Sequence, residues 1–136
     1  MNPGLTVTRI AVGAIKSRRF VRPSKTGDAT VSDQHYVQAS ASSDLMMGAS
    51  VPNIDAADGD HFDVVLEGLA EIEAGGAIAA GAYVTSDANG KAVTCTPAAG
   101  AKAQSGGTAY SAATADGDFI LVHLARTQVT TPAVAG

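Results

Sequence analysis

Tryptophan is absent, and only three Phe and three Tyr serve a chain of 136 residues. Val, Ile, Leu and Phe together make 28 residues, about a fifth of the chain; that is just above the rough 20 % below which chains stay unfolded. The core is therefore thin and gains from self-association or from a large partner. Cysteine is nearly missing too: Cys95 stands alone, so no internal disulfide forms, whereas a secreted domain with so small a core would carry several bridges. Charged side chains reach only 16 %, against about 25 % usually, and with 46 % hydrophobic residues this argues against intrinsic disorder. No apolar run approaches the roughly 18 residues of a membrane span. The best stretch, 69–84, is broken by Glu71, Glu73 and three glycines. The acid-free start superficially resembles a transit peptide, but Pro3, Gly4 and the low Ser content speak against it.

What is abundant is Ala, 27 residues, and Gly, 15, together with an uneven distribution of charge. Residues 1–25 carry Arg9, Lys16, Arg18, Arg19, Arg22 and Lys25 and no acid; residues 26–136 carry only Lys91, Lys102 and Arg126 against all thirteen acids. The chain thus divides into a basic N-terminal arm (1–25), a β-rich body (26–126) and a short C-terminal tail (127–136). An arm of this sign either grips a polyanion or docks on an acidic protein surface, its own or a neighbour's. A solvated arm whose charges only aid solubility is the plainer reading. The acidic body repels phosphate, and the break at 24–27 stops the basic run short of a nucleic-acid stripe, so no nucleic acid is expected as partner. No membrane partner is expected either.

Local patterning favours strands throughout. Residues 5–15 and the short pieces between 20 and 51 read as extended, and 62–72 reads as one central strand with a bulge at Gly68. Gly75-Gly76 marks a turn, since three glycines within 75–81 would each cost a helix about 1 kcal/mol relative to Ala. Residues 82–86 and 91–96 flank Asp87-Ala88-Asn89-Gly90 as the clearest hairpin. Residues 97–107 read as a loop, and 119–124 as the last strong strand after the turn Asp116-Gly117-Asp118. Many short strands with Gly-marked turns and no periodic helix predict an all-β fold, a small β-barrel or sandwich with an extended N-terminal arm.

Catalytic constellations are hard to assemble from these residues. His35, His61 and His123 lie in unrelated segments without metal-ligand spacing. Cys95 has no CxxC partner and reads as a small buried hydrophobe. There is no Gly-x-Ser-x-Gly elbow, and the glycines at 75, 76 and 81 match no nucleotide-binding loop. Asp55, Asp58, Asp60 and Asp63 form an oxygen-rich loop that invites Ca²⁺, but the EF-hand spacing fails and a solvated acidic loop is the competing reading. Glu67, Glu71 and Glu73 read as a charged strand face rather than glycosidase carboxylates. No catalytic, cofactor-binding or metal residue is therefore assigned, and no cofactor.

The order of small-residue turns is more telling. The stretch 65–92 runs from a strand through Gly75-Gly76 and Ile78-Ala79-Ala80-Gly81 into Ser86-Asp87-Ala88-Asn89-Gly90-Lys91-Ala92. Downstream, 106–124 closes with an Ala-rich piece, Gly117-Asp118 and an alternating strand, and upstream 37–50 contains Asp44 and Gly48 at an entry turn. Together these segments, covering most of 28–125, resemble the capsid cement or head decoration proteins of tailed bacteriophages. The resemblance implies a β-rich virion protein without catalytic site, bound to the outer surface of the head between capsomers. It further implies contact with the major capsid protein and a homotrimer at local three-fold positions. From charge, the contact residues would be Arg9, Lys16, Arg18, Arg19 and Arg22 of the arm. Two rivals stand beside it. A head-surface module for host surface or glycan would show aromatics in its loops, and a small β-barrel hydrolase would need a convergent pair among Asp60, His61 and Asp63 or near His123.

Overall fold

β-branched and small residues alternate with polar ones along most of the chain, and that period of two becomes ten strands among the described residues. The computed structural model describes residues 5–32 and 34–130, and no helix occurs among the described residues. The first sheet holds β1 (Thr6–Ala11), β2 (Val21–Pro23), β3 (His35–Gln38), β4 (Ala49–Ser50) and β5 (His61–Val65), in the order β2-β3-β1-β5-β4. The second holds β6 (Gly68–Glu73), β7 (Tyr83–Ser86), β8 (Ala92–Thr94), β9 (Lys102–Ala109) and β10 (Phe119–Thr130), in the order β6-β10-β9-β7-β8. All named pairings are antiparallel except β1 with β3.

Both sheets roll until their edge strands touch. In the first, Phe20 bridges Ala49, and Met47 N–H donates to Val21 C=O at 2.9 Å; in the second, Ala74 bridges Ala92 and Gly75 N–H donates to the Ala92 carbonyl at 2.8 Å. Strand twist drives the curl, and the contacts cover backbone edges that would otherwise invite pairing. These are point contacts, not ladders, so the architecture is a sandwich of two rolled sheets rather than a closed barrel.

Two apolar clusters form the core: the smaller belongs to the first sheet, and the larger draws on both sheets. The smaller contains Ile15, Val21, Tyr36, Phe62 and Val64, and the larger Met46, Ile72, Val84, Ile120 and Val122 together with Phe20. Phe20 belongs by sequence to the first sheet yet is fully buried in the cluster of the second. It enters over Gly106, where a Cβ would collide with its ring. At Gly107 a Cβ would likewise collide with the His123 carbonyl of β10.

Four sequence expectations change here. From Leu5 onward the basic segment is built into the body rather than extending from it: β1 lies between β3 and β5, and Ile15, Phe20 and Val21 are buried. Its apolar residues fill cores, and its charges meet body carboxylates. Residues 62–72 are two strands in different sheets, because Gly68, at φ 92°, turns the chain from one to the other. The stretch read as a loop over 97–107 contains most of β9; its Ala, Ser and Gly are the small residues required beneath Phe20, so packing overrides low strand propensity. Finally, the tail expected over 127–136 begins later, since residues 127–130 pair with 102–105; the remaining residues 131–136 lie outside the described residues.

Replacing Gly107 by Ala therefore forces β9 and β10 apart and is expected to cost about 2 kcal/mol, at the level of overpacked cores. Urea unfolding checks it through a lowered midpoint at unchanged slope.

Candidate interaction surface

Six of the nine cationic side chains are paired with carboxylates of the same chain. The turn between β1 and β2 holds Arg18 in left-handed backbone geometry, φ 57°. Its guanidinium lies over the Phe119 ring at 4.1 Å and pairs with Glu71 of β6. Arg19 reaches Glu73 at 3.3 Å and the Asn89 carbonyl at 2.8 Å. Lys91 joins Glu73 from the β7–β8 hairpin at 3.0 Å and extends to Asp116 at 3.0 Å. These two carboxylates, Glu73 foremost, raise the Lys91 pKa. Arg22 grips Asp28 through two bonds of 2.8 and 3.1 Å and approaches Asp44 at 3.7 Å, with Lys25 at 3.8 Å from Asp44. The Arg22 fork, helped by the Lys25 backbone N–H, lowers the Asp28 pKa to about 2.

The residues expected to reach outward thus divide. The side chains of Arg18, Arg19 and Arg22 are only 14, 13 and 10 % exposed and are engaged inside the molecule. Lys16, 62 % exposed and 3.9 Å from an equally open Asp55, remains available. Arg9 lies over Tyr36 at 5.8 Å and donates to the Thr8 carbonyl. The charge asymmetry along the sequence is therefore neutralised mostly within the fold.

The acidic loop uses its carboxylates one by one. Asp55 accepts from Ser17 N–H, Asp58 from Gly13 N–H and Asp60 from Ala57 N–H, at 2.8, 2.8 and 3.0 Å. No group of three or more His, Cys, Asp or Glu poised for a cation occurs among the described residues. Glu71 and Glu73 do share a strand face, as the alternation requires, and Arg18, Arg19 and Lys91 occupy them. Cys95 is buried, and burial pushes its thiol pKa up. His61 and Asp63 line one recess, but it measures about 170 Å³, below the 300–1,000 Å³ of ordinary substrate pockets. Asp63 there accepts the Thr8 hydroxyl at 2.9 Å.

What the structure does assemble, and sequence patterning missed, is an aromatic outer face on the second sheet. The register aligns Leu69, His123, Thr108 and Tyr83 in one row across β6, β10, β9 and β7. Half-buried Leu121 and Tyr110, 67 % exposed, flank that row. The outward alternation of 119, 121 and 123 was the available signal; the strand order that joins them to Tyr83 and Tyr110 was not.

Two rolled sheets tied by ion pairs, with an exposed aromatic outer face, define an all-β sandwich. The chain matches the phage cement proteins over residues 1–124 and belongs to that family. It is thus a structural protein of the phage head, associated with the capsid. Its fold is similar to that of the crystal structure of the head fiber gp8.5 N base in bacteriophage phi29, with a TM-score of 0.60 at 19 % identity over 89 % of this chain and 93 % of that one. No curated protein matches it.

Two measurements test the charge network. Glu73→Gln removes the common partner of Arg19 and Lys91 and is expected to lower stability by about 2 kcal/mol, within the range for hydrogen bonds to charged groups, read by urea unfolding. The Asp28 carboxyl should titrate by NMR near 2. Because its folded pKa lies below the unfolded value of 3.8, its contribution is complete above pH 4 and is lost as pH falls toward 2. Asp28→Asn should abolish that part of the acid dependence.

Proposed function

We propose that this protein is a capsid cement: it binds the outer surface of a phage head between capsomers, contacts the major capsid protein and acts as a homotrimer around local three-fold positions. The observation that carries this reading is the family match over residues 1–124. It works without catalysis and without a cofactor, by holding neighbouring capsomers that internal pressure tends to separate. Support from the geometry is threefold. A core poor in large apolar residues gains from burial against neighbours. The ion-paired body fixes the relative position of its two sheets, which an adaptor between capsomers requires. The exposed Tyr83, Tyr110 and Phe119 supply aromatic contact area of the kind enriched at interfaces. Lys16 and Arg9 remain candidate lattice contacts, whereas Arg18, Arg19 and Arg22 serve the contact indirectly by holding the body in shape. Several weak contacts per trimer act together through multivalency, so release needs all of them to open at once.

Quantitative mass spectrometry of this chain against the major shell protein across a density gradient of purified particles tests the proposal. The expected result is a fixed, near-stoichiometric ratio that follows intact heads; absence from the particles overturns it.

A further inference from the structure

Among the described residues, the second sheet keeps one backbone edge open. β6 pairs with β10 only as far as Gly68 opposite Leu124, while β10 continues to Thr130. Beyond Leu124 its inner side stays paired with β9, through Thr127, Gln128, Val129 and Thr130 opposite Ser105, Gln104, Ala103 and Lys102. Its other side meets no strand among the described residues. The direction of the free groups follows from β9. Gln104 donates its N–H to the Ser42 carbonyl at 2.7 Å, and its C=O accepts the Thr85 hydroxyl at 2.7 Å. Its backbone therefore points away from β10. In an antiparallel ladder the residue opposite such a position also points away. Gln128, opposite Gln104, thus turns its N–H and C=O to the open edge, and Thr130 does the same two residues on.

The side chains beside this edge carry positive charge, whereas most cations elsewhere in the molecule pair with carboxylates. Arg126, Gln128 and Thr130 share one ribbon face with Gln104 and Lys102, since alternate residues lie on one side. Arg126 donates to the Gln104 side-chain carbonyl at 3.4 Å across that face. Arg126 and Lys102 are both exposed, and neither has a carboxylate partner among the described residues, unlike the six paired cations.

We propose that this edge takes up an extended segment of the shell protein as a third strand of the β9–β10 ribbon, antiparallel or parallel to β10, with acidic side chains at alternate positions facing Arg126 and Lys102. The backbone groups of Gln128 and Thr130 supply the ladder, and the two cations select charge and register. A second copy of this chain is the weaker occupant: the same edge on another molecule would bring Arg126 and Lys102 toward their own counterparts. The inference rests on the capsid-binding reading and specifies where that binding occurs.

The test measures co-sedimentation of the purified protein with heads stripped of it. Gln128→Pro deletes one outward N–H without touching the β9 ladder, at a position where an edge strand tolerates proline. It is expected to weaken binding about tenfold or more. Lys102→Glu with Arg126→Glu should weaken it at least as much, and raised salt should weaken the wild type. Unchanged melting temperatures show that the variants fold, and a photo-crosslinker at position 128 should capture the shell protein. If wild type and both variants bind alike, the inference is overturned while the capsid reading stands. Crosslinks to a second copy of this chain overturn the shell protein as occupant. Failure of the wild type itself to bind overturns the reading and this inference together.

Discussion

Phe20 enters the core of the second sheet through a space that exists only because residue 106 has no side chain. In a chain with six aromatic residues, one such ring carries an unusual share of the folding energy. Losing a buried Phe costs about 3–5 kcal/mol, comparable to the entire stability of a marginal domain. The need to seat this ring explains much of the surrounding composition. Ala49, Ala70, Ala92 and Ala109 are buried around the same cluster, where small side chains let backbones approach. The abundance of Ala and Gly is thus a packing requirement and not a sign of loose structure.

Around that joint, charge sets position more than it adds stability. Arg18 and Arg19 lie on the turn just before Phe20 and reach Glu71 and Glu73 on β6, while Lys91 comes to Glu73 from the hairpin. Partly buried pairs of this kind repay little more than their desolvation. Breaking one side, however, strands a charge, so the network penalises any sliding of one sheet over the other. The acidic loop works the same way at smaller scale, with Asp55 and Asp58 accepting backbone N–H groups from the segment that leads to this turn.

How much of this was legible in the sequence depended on range. The hairpin around Asp87-Ala88-Asn89-Gly90 and the strand beginning at Phe119 were readable because their signals are local: a turn residue at positive φ, Gly90, and alternation over six residues. The fate of the basic segment was not readable. A run of cations followed by a run of acids looks like an arm and a body, and nothing local reports that Arg19 and Glu73, 54 residues apart, lie face to face. β9 was hidden for a related reason, since its Ala, Ser and Gly are chosen by the ring above them. Of the residues expected to contact a partner, the structure leaves Lys16 outward and turns Arg18, Arg19 and Arg22 inward. Tyr83 and Tyr110 became visible only once the strand order set them on one face.

The same economy bears on attachment to a shell. A sheet with free edges risks indiscriminate pairing, and both sheets here bring their edges together, at Phe20–Ala49 and at Ala74–Ala92. Among the described residues, the stretch of β10 past Leu124 departs from that rule, and it is also where Arg126 and Lys102 stand without carboxylate partners. Six of the nine cations are engaged with carboxylates of the same chain, so few cationic groups remain to select a partner. On the proposed reading, specificity falls to an aromatic face that would supply contact area and a cationic strand edge that would supply direction and register. Neither needs to bind tightly alone. A cement gains from contacts weak enough to form without error and numerous enough that separating two capsomers must break all of them together.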